Sequence, residues 1–542
     1  MLRVIVLDDL SPDGLRLLER APSIEHEVRT GLQGTDLREA LRDFDGAICR
    51  SGAKITRDVL EGNRRLKAIA RAGVGTDNID MPAATRLGIV VMNTPGGNTI
   101  STAEHTIALM LALSRNIFPA YQSLLQGRWD RKHYMGTQLM GKTLGIIGLG
   151  RVGQAVAARA LGLQMRVLGY DPFLSSQRAR ELGIQTVACV PELLPEVDYL
   201  TVHTPLTPET RQMIGAKEIR MMRPGVRLIN CARGGVFDEA ALVEGLKSGH
   251  LGGVALDVFE SEPCTDSPLF GMPNVLCTPH LGASTEEAQS QVAVEATELL
   301  INFLRTGEIR QSVNIPPLDA SALEGLRGYL DLGYRLGLLL AQVNHGSPVA
   351  CRLRYQGEVT RKDCRLVSAA FAAGLLEQAL DMDVNLVNAG VLLRDRGIEL
   401  VDERLTEVGD FSTLITAEVV SQERTASAAG TLFGQKMPRL VQKGDFRLES
   451  PLEGTLLLTE HRDMPGVIGK IGEVCGRYQV NIAYLSVGRS TLAPGGEAMG
   501  VFALDSTPPP PALAELERLG PIVRARIVNL PPAGRWPRWL GG

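Results

Sequence analysis

Cysteine is scarce in this sequence and is never arranged as a closely spaced ligand pair. The 542 residues include eight cysteines at scattered positions, and no two of them form a Cys-x-x-Cys motif. Structural zinc sites need closely spaced thiolates, and disulfide frameworks are typical of short secreted chains. The sequence therefore predicts neither a metal site nor a disulfide scaffold.

Long hydrophobic runs and an excess of one charge are lacking as well. No uninterrupted apolar run approaches the roughly 18–20 residues that span a bilayer. The opening residues, MLRVIVLDDL, lack the long apolar core and the cleavage site of a signal peptide. The net charge of −4 creates no overall field that would attract nucleic acid or a membrane surface. We therefore expect a cytoplasmic protein that binds neither.

What the chain has in abundance is an alternation of apolar strands with amphipathic helices, which is typical of parallel sheets. Its length alone predicts three or four domains. The pattern predicts two Rossmann-like lobes with a cleft between them, a proline-marked linker near 314–321, a mixed α/β region and a ferredoxin-like βαββαβ module. The predicted division is 1–97 with 284–314, then 98–283, 315–450, 451–530 and a tail at 531–542, which we expect to be poorly ordered or a small contact arm.

A glycine loop between a strand and a helix is the most informative motif. GKTLGIIGLGRVG places Gly148, Gly150 and Gly153 after an apolar strand and before a helix. Asp171 ends the next apolar strand, at about the distance where a dinucleotide fold carries its ribose-binding acid. Loop backbone and helix N-terminus suit a pyrophosphate, and the carboxylate would repel a 2′-phosphate. The motif predicts NAD as the cofactor, whereas the alternative is a glycine-rich turn that binds nothing.

Three residues with catalytic potential follow predicted strands in the same lobe: Arg233 in NCARGG, Glu262 in DVFESEP and His280 in TPHLGAS. A histidine can take the hydroxyl proton as hydride leaves the substrate, a carboxylate can orient it, and an arginine can bind the substrate carboxylate. His105 and His203 also lie in apolar contexts, so a histidine alone proves little. Together the three predict oxidation of a 2-hydroxy acid.

Two further arginines, Arg50 and Arg71, end apolar strands of the first lobe in ICRSG and IARAG. Both could project into the cleft. Two cations beyond the one for the carboxylate favour a substrate with a second anionic group, such as a phosphate. The alternative is ordinary surface pairing.

At these residues the chain resembles the D-isomer-specific 2-hydroxyacid dehydrogenase family, over nearly its whole length. The resemblance implies that Arg233, Glu262 and His280 are the catalytic triad. RAGVGTDNID and GGNTISTAEHT resemble substrate-lobe signatures of the family. The implied substrate-binding residues are Arg50, Ser51, Arg71, Gly73, Asn98 and Arg233. Besides the loop glycines and Asp171, the implied cofactor-binding residues are Val74, Arg151, Val152, Thr204, Cys231, Ala232, Arg233, Asp257, His280, Leu281, Gly282 and Ala283.

The resemblance is strongest to long members of the family, which carry an intervening domain and an ACT domain after the substrate-binding lobe and the NAD-binding domain. It implies oxidation of 3-phospho-D-glycerate to 3-phosphohydroxypyruvate, the entry step of serine synthesis, by a homo-oligomer, dimer or tetramer. ACT domains of such enzymes bind L-serine, which implies Asp463 and Asn481 as effector-binding residues. The chain departs from the pattern at Val74, where relatives may carry Thr, at His461, where some have Tyr, and in its Trp-rich tail.

Two other functions fit parts of the pattern. A relative acting on glycerate or hydroxypyruvate would need fewer cationic contacts, so a requirement for phosphate distinguishes it. A corepressor-like protein that senses NAD would need a docking surface for partner peptides, whereas this chain devotes its extra length to a small-molecule module.

Overall fold

The computed structural model describes residues 1–316, 320–344, 347–380, 383–405, 410–422, 424–434, 436–490, 495–532 and 535. Part of the predicted linker at 314–321 and most of the predicted tail at 531–542 lie outside these residues. Contacts divide the chain into one unit of Met1–Asp9, Leu15–Asn93 and Ala296–Gly542 and another of Leu10–Gly14 and Thr94–Glu295. The predicted fold class is confirmed, while the predicted domain boundaries stay predictions.

A five-stranded parallel sheet occupies the first 93 residues, in the order β2-β1-β3-β4-β5. Its central strands are short apolar runs that are buried, as parallel strands covered by helices must be. Cys49, Arg71 and Asn93 stand side by side where three strands end. The elements are β1 Leu2–Val6, α1 Pro12–Arg20, β2 Ile24–Val28, α2 Gly34–Leu41, β3 Gly46–Cys49, α3 Arg57–Leu60, β4 Ala68–Arg71, α4 Met81–Arg86 and β5 Val90–Asn93.

The second unit is built on a seven-stranded parallel sheet, in the order β12-β11-β10-β9-β6-β7-β8. Apolar clusters pack on both of its faces. Its elements are α5 Thr99–Ser114, α6 Ile117–Leu125, β6 Thr143–Ile147, α7 Arg151–Gly162, β7 Arg166–Tyr170, α8 Ser176–Glu181, β8 Gln185–Thr186, α9 Val190–Leu193, a 3-10 helix Leu194–Glu196, β9 Tyr199–Val202, α10 Ala216–Met221, β10 Val226–Asn230, α11 Glu239–Lys247, β11 Leu251–Leu256, β12 Val275–Cys277 and α12 Glu286–Thr306.

The register of this sheet aligns the ends of its strands. Ile147 pairs with Tyr170 and with Val202, and Asn230 pairs with Val202 and with Leu256. Ligands of open α/β sheets bind beyond such carboxyl ends. The residues that follow each strand therefore share one edge, where the functional side chains are expected.

A six-stranded mixed sheet follows, in the order β14-β13-β15-β16-β17-β18, with the long helix α13 beside the largely buried α14. The alternating buried and half-buried residues of β15 show that one face of the sheet is covered. The elements are α13 Ala320–Val343, β13 Pro348–Gly357, a 3-10 helix Glu358–Arg361, α14 Cys364–Leu376, α15 Ala389–Asp395, β14 Glu399–Arg404, β15 Thr413–Ser421, β16 Thr425–Phe433, β17 Met437–Lys443 and β18 Phe446–Pro451.

The C-terminal module has the predicted βαββαβ order, with an antiparallel sheet ordered β20-β21-β19-β22. An apolar cluster joins its two helices to the sheet. Its elements are β19 Thr455–Arg462, α16 Val467–Arg477, β20 Ile482–Arg489, β21 Glu497–Leu504, α17 Pro510–Glu517 and β22 Ile522–Asn529. None of the described helices in the chain combines the length and the apolar character that a membrane span needs.

Candidate active site and cofactor site

The glycine loop leaves room where a dinucleotide needs it. Gly148 has a φ of 91°, and a Cβ built there would lie 2.6 Å from the carbonyl oxygen of His203. A Cβ on Gly153 would lie 2.0 Å from the carbonyl oxygen of Gly148, so this glycine lets α7 pack against the loop. By contrast, a Cβ on Gly150 would meet nothing within 4 Å. The open side of the loop at the start of α7 fits the approach of a pyrophosphate.

Asp171 follows β7 and is tied to the glycine loop. Its Oδ2 accepts a hydrogen bond from the Leu149 amide at 2.7 Å, and its Oδ1 accepts one from the Phe173 amide at 2.8 Å. A carboxylate offers about four lone-pair sites, so each oxygen retains capacity for a ribose hydroxyl. The geometry fits the predicted role of Asp171 and shows a second one, which is to hold the loop.

The other predicted cofactor residues of this unit lie at the same edge of the sheet. Thr204 follows β9, and its buried Oγ1 has no hydrogen-bond partner among the described residues. A buried polar atom without a partner beside the loop fits a hydrogen bond to a ligand that binds there. Arg151 and Val152 begin α7, Cys231, Ala232 and Arg233 follow β10, Asp257 follows β11, and His280, Leu281, Gly282 and Ala283 follow β12.

His280 and Glu262 form the central pair of the site. The distance between His280 Nδ1 and Glu262 Oε2 is 2.7 Å, and Glu262 Oε1 accepts from the Phe259 amide at 3.0 Å. Because Nδ1 faces the carboxylate, Nε2 is the ring nitrogen left for a substrate proton. The two residues, which the sequence predicts as partners, are 18 positions apart, and the loop after β11 and the segment after β12 bring them into contact.

Electrostatics prepare this pair for proton transfer. The hydrogen bond that His280 donates to Glu262 raises the pKa of His280 above its usual value, although burial and the charge of Arg233 oppose the rise. Burial alone would raise the pKa of Glu262, but hydrogen bonds from His280 and the Phe259 amide outweigh it and lower that pKa. Glu262 therefore stays ionised and stabilises the imidazolium.

Arg233 is placed by its own turn. Its Nη1 donates to the Ala232 carbonyl at 2.7 Å, and its carbonyl accepts from Asn230 Nδ2 at 2.8 Å. Asn230 Oδ1 also accepts from the Ala232 amide at 2.9 Å. Asn230 was not among the predicted residues, although its place at the start of the NCARGG motif is a signal that could have found it.

His105 and His203, the two other histidines in apolar sequence contexts, have different surroundings. Burial lowers the pKa of His203 to about 4, and its Nε2 lies 3.1 Å from Thr201 Oγ1, so it is a neutral, half-buried side chain. His105 instead faces the Asp257 carboxylate, with 3.2 Å between His105 Nε2 and Asp257 Oδ1. Asp257 is buried at the end of β11 and binds the segment that carries His280.

Among the described residues, His105, Cys231 and Asp257 bring their donor atoms within 4.8 Å of one another, as a metal site would require. Burial raises the pKa of Cys231 to about 12, so the sulfur keeps its proton and is a poor ligand. The Asp257 oxygens already accept hydrogen bonds from Thr278, Leu281 and Gly282. These contacts favour a hydrogen-bonded network over a metal.

The predicted substrate residues of the first unit lie at the ends of β3 and β4. Arg50 donates from Nη1 to the Asp9 carbonyl at 3.0 Å and from its amide to Asp8 Oδ2 at 2.6 Å. A Cβ on Gly73, whose φ is 147°, would lie 1.6 Å from Arg71 Nη1, so the guanidinium lies directly on this glycine. The exposed Ser51 follows Arg50.

Two more predicted residues lie at turns. The carbonyl of Val74 accepts from Asn93 Nδ2 at 2.6 Å. Asn98 precedes α5 in the second unit, and its buried Oδ1 has no hydrogen-bond partner among the described residues. Such an atom is available to a ligand.

The two predicted effector residues bind different partners. Asp463 follows β19, and its Oδ2 lies 2.7 Å from Arg489 Nε at the end of β20. Asn481 donates from Nδ2 to Asp505 at 2.7 Å. His461 is buried, and burial lowers its pKa, so its ring belongs to the interior of the module.

Comparison with known proteins agrees with this architecture. Residues 107–282 match the NAD-binding domain of the D-isomer specific 2-hydroxyacid dehydrogenases, 301–443 match the D-3-phosphoglycerate dehydrogenase intervening domain, and 455–521 match the ACT domain. A D-3-phosphoglycerate dehydrogenase from Methanocaldococcus jannaschii is 41% identical over 532 residues, which is 98% of this chain and 100% of that protein. One from Bacillus subtilis is 37% identical, again over 98% of this chain and 100% of its own length.

Solved structures match the dehydrogenase portion. A glyoxylate reductase from Paecilomyes thermophila has a TM-score of 0.54 and 28% identity and covers 58% of this chain and 98% of its own. An Aquifex aeolicus D-lactate dehydrogenase, complexed with NAD and lactic acid, has a TM-score of 0.51 and 28% identity over 56% of this chain and 95% of its own. The chain belongs to the NAD-dependent D-isomer-specific 2-hydroxyacid dehydrogenase family, among its D-3-phosphoglycerate dehydrogenases with an intervening domain and an ACT domain.

Proposed function

We propose that this chain oxidises 3-phospho-D-glycerate to 3-phosphohydroxypyruvate with NAD, as the first step of L-serine biosynthesis. The observation that carries the proposal is the 2.7 Å contact between His280 and Glu262 at the carboxyl edge of the NAD-binding sheet. The relatives aligned over the whole chain support the phosphorylated substrate, since they are named D-3-phosphoglycerate dehydrogenases.

The residues divide the chemistry among them. When bound, NAD accepts the hydride from C2 of the substrate. Nε2 of neutral His280 takes the proton of the C2 hydroxyl, and the Glu262 carboxylate stabilises the resulting imidazolium. Arg233 binds the substrate carboxylate through its planar guanidinium. In the reverse direction, His280 returns the proton to the carbonyl oxygen.

Cofactor and substrate are held by residues with the matching chemistry. Gly148, Gly150 and Gly153 form the pyrophosphate cradle, and Asp171 accepts from the ribose. The orphaned oxygens of Thr204 and Asn98 are available to these ligands. Val74, Arg151, Val152, Cys231, Ala232, Asp257, Leu281, Gly282 and Ala283 complete the proposed cofactor site, and Ser51 and Gly73 the proposed substrate site.

The phosphate is assigned to Arg50 and Arg71. A charge-assisted hydrogen bond to phosphate contributes about 1.5–3 kcal/mol, which is roughly a 10- to 100-fold preference. Gly73 gives the Arg71 guanidinium its position, because any side chain there would displace it.

The test compares NADH formation from 3-phospho-D-glycerate and from D-glycerate. The wild-type chain should strongly prefer the phosphorylated substrate, and Arg71→Gln should lose about 10- to 100-fold in kcat/KM for that substrate only. Arg57→Gln, which removes an exposed arginine of the same unit, is the matched control. Equal use of both substrates by the wild type would favour the glycerate-type alternative, and activity with neither would favour the NAD-sensing one.

We further propose that L-serine binds the C-terminal module and reduces activity. Asp463 has the charge to accept from an ammonium group, and Asn481 could complete the site from a neighbouring subunit. Because Asp463 is paired with Arg489, bound serine has to share or replace that contact. Serine inhibits only if it binds one arrangement of the enzyme more tightly, and couplings of this kind are about 1–3 kcal/mol. Calorimetric titration with L-serine, with D-serine as the control ligand, tests binding.

We also propose that the chain forms a homo-oligomer through α6. The helix leaves a cluster of large apolar side chains at least half exposed, and clustered apolar side chains of this kind mark interaction surfaces. The cluster consists of Ile117, Phe118, Tyr121, Leu124, Leu125 and the following Trp129. A second copy of the same face would bury it in a two-fold interface. Sedimentation should show at least a dimer, and Leu125→Glu should weaken it; a wild-type monomer would contradict the proposal.

A further inference from the structure

Residues 278–282, the segment that carries His280, are held by hydrogen bonds to the buried carboxylate of Asp257. Asp257 Oδ1 accepts from Thr278 Oγ1 at 2.6 Å and from the Leu281 amide at 2.7 Å, and Oδ2 accepts from the Gly282 amide at 2.8 Å. The His280 amide itself donates to the Asp257 carbonyl at 2.9 Å. His280 has a φ of 56°, in the left-handed region that residues other than glycine seldom adopt, so these bonds hold an uncommon backbone turn.

Side chains of helix α5 contact both ends of the same segment. At the start of the segment, His105 Nε2 lies 3.1 Å from Thr278 Oγ1. The same nitrogen lies 3.2 Å from Asp257 Oδ1. At the end of the segment, Thr102 Oγ1 donates to the Gly282 carbonyl at 3.2 Å. Thr102 and His105 are three residues apart and therefore project from one side of the helix.

The hydrogen count fixes the role of His105. Burial alone would raise the pKa of Asp257, but hydrogen bonds from His105, Thr278 and Leu281 outweigh it and lower that pKa, so the carboxylate only accepts. The single hydroxyl proton of Thr278 is used on Asp257. Nε2 of His105 must therefore carry a proton, which it directs at Thr278 and Asp257 together.

We propose that His105 is a positioning residue for the dehydrogenase reaction, which acts through Thr278 and Asp257 to hold the turn that aims the His280 imidazole at the substrate. The proposal rests on the function proposed above for His280. A turn held from two sides keeps Nε2 of His280 within reach of the hydroxyl proton. Loss of the hydrogen bonds on one side lets the imidazole move, and a displacement of about 1 Å can cost 100-fold in rate.

The test compares two substitutions that differ only in the donor. His105→Leu removes it, and His105→Gln supplies an amide N–H from a side chain of similar reach. We expect His105→Leu to lower kcat about tenfold, with the dissociation constant of NADH, measured by fluorescence, changed less than about twofold. His105→Gln should recover most of that loss. Ser114→Ala is the matched control, since it removes a buried polar group of α5 that donates to the Met110 carbonyl.

A second measurement does not depend on the substrate. With histidines labelled at Cε1, the His280 resonance is assigned from its absence in His280→Ala, and its titration reports the contact with Glu262. In His105→Leu the pKa of His280 should fall towards the ordinary histidine value, while His105→Gln and Ser114→Ala should keep it raised. A change in melting temperature alone, with kcat and this titration as in wild type, would overturn the proposal.

Equal losses in the Leu and Gln variants would also overturn it, because the donor would then be irrelevant. Failure of the proposed function has a different signature, namely a wild-type chain without activity on 3-phospho-D-glycerate. The kinetic comparison then uses whichever 2-hydroxy acid the wild type oxidises, and the titration of His280 decides the positioning role if it oxidises none.

Discussion

Two carboxylate–cation pairs of the same length lie in different parts of the chain. Glu262 meets His280 at 2.7 Å beyond the parallel sheet of the NAD-binding domain, and Asp463 meets Arg489 at 2.7 Å in the C-terminal module. The first pair is anchored further, because Glu262 accepts from the Phe259 amide and the His280 turn hangs from Asp257. The second joins two strand ends, and among the described residues its carboxylate has no further hydrogen bond of this kind; exposure does not separate the pairs, because the Arg489 and His280 side chains are both half exposed.

Under the roles proposed above, anchoring, and not the length of the contact, separates a group held for chemistry from one that can exchange partners. An imidazole that must meet a substrate proton needs a fixed direction. A carboxylate that is to accept an incoming ammonium group must instead release its partner at low cost, and an exposed ion pair contributes only about 0–1 kcal/mol. Asp171 lies between these cases, since two backbone amides hold it and each of its oxygens keeps capacity for a further hydrogen bond.

The most severe way to break the anchored pair is to remove the imidazole. His280→Ala should lower kcat by about 10²–10⁴-fold, the usual contribution of a positioned acid–base group. The affinity for NADH should change far less, because the glycine loop and Asp171 are untouched. Steady-state kinetics and fluorescence titration measure the two quantities, and a variant with near-wild-type turnover would exclude His280 from the mechanism.

Removing only the charge of the partner should have a smaller effect. Glu262→Gln should lower kcat about 10- to 100-fold, since a charge-assisted hydrogen bond to the imidazolium is lost. The hydrogen bond that His280 donates to the Glu262 carboxylate raises the pKa of His280, so loss of the carboxylate lowers that pKa. The base must be neutral in the oxidation direction, and the acidic limb of kcat/KM should therefore move to lower pH. A limb that stays in place would argue against the pairing.

Asp171, whose anchoring is intermediate between the two pairs, is tested by the preference of the enzyme for NAD over NADP. Asp171→Ala removes a ribose acceptor and a charge that repels a 2′-phosphate, and kcat/KM for NAD should fall about tenfold more than kcat/KM for NADP. Because the variant also frees the Leu149 amide, Asp171→Asn is the companion that keeps a side-chain acceptor. An unchanged ratio of the two cofactors would mean that Asp171 does not bind the ribose.

The weakly anchored pair should give the smallest effect. Asp463→Asn should raise the L-serine concentration for half-inhibition about fivefold, which is the size expected for one charged contact at a partly exposed site. Arg489→Gln should change it in the opposite direction, because it removes the cation that competes for Asp463. If both variants responded to serine as the wild type does, the effector site would lie elsewhere.

The sequence predicted the fold class well because its signals are local. Apolar runs ending in Gly, Asn, Ser or Pro predicted the parallel strands, and the spacing from Gly150 to Asp171 predicted two successive strand ends. The family, the NAD cofactor and the βαββαβ module are confirmed. The cytoplasmic location, the oligomer and the site residues stay predictions.

The supporting contacts could not be predicted, because they depend on tertiary geometry. His105 and Thr278 are 173 residues apart in sequence, and only the packing of α5 brings them together. His105 looked equivalent to His203, yet His105 faces a carboxylate, whereas desolvation lowers the pKa of His203 to about 4. Asn230 supports the Arg233 turn through bonds that no pattern of hydrophobicity encodes.

The contact between Gly73 and Arg71 limits which residues position 73 can tolerate. A Cβ at residue 73 would lie 1.6 Å from the guanidinium, and the φ of 147° disfavours any side chain there. In a library that samples all amino acids at every position and is selected for growth without serine, codon 73 should retain glycine alone. The exposed Asp77 nearby should accept many replacements. The position of the Arg71 charge would then be recorded in the selected sequences as an invariant glycine.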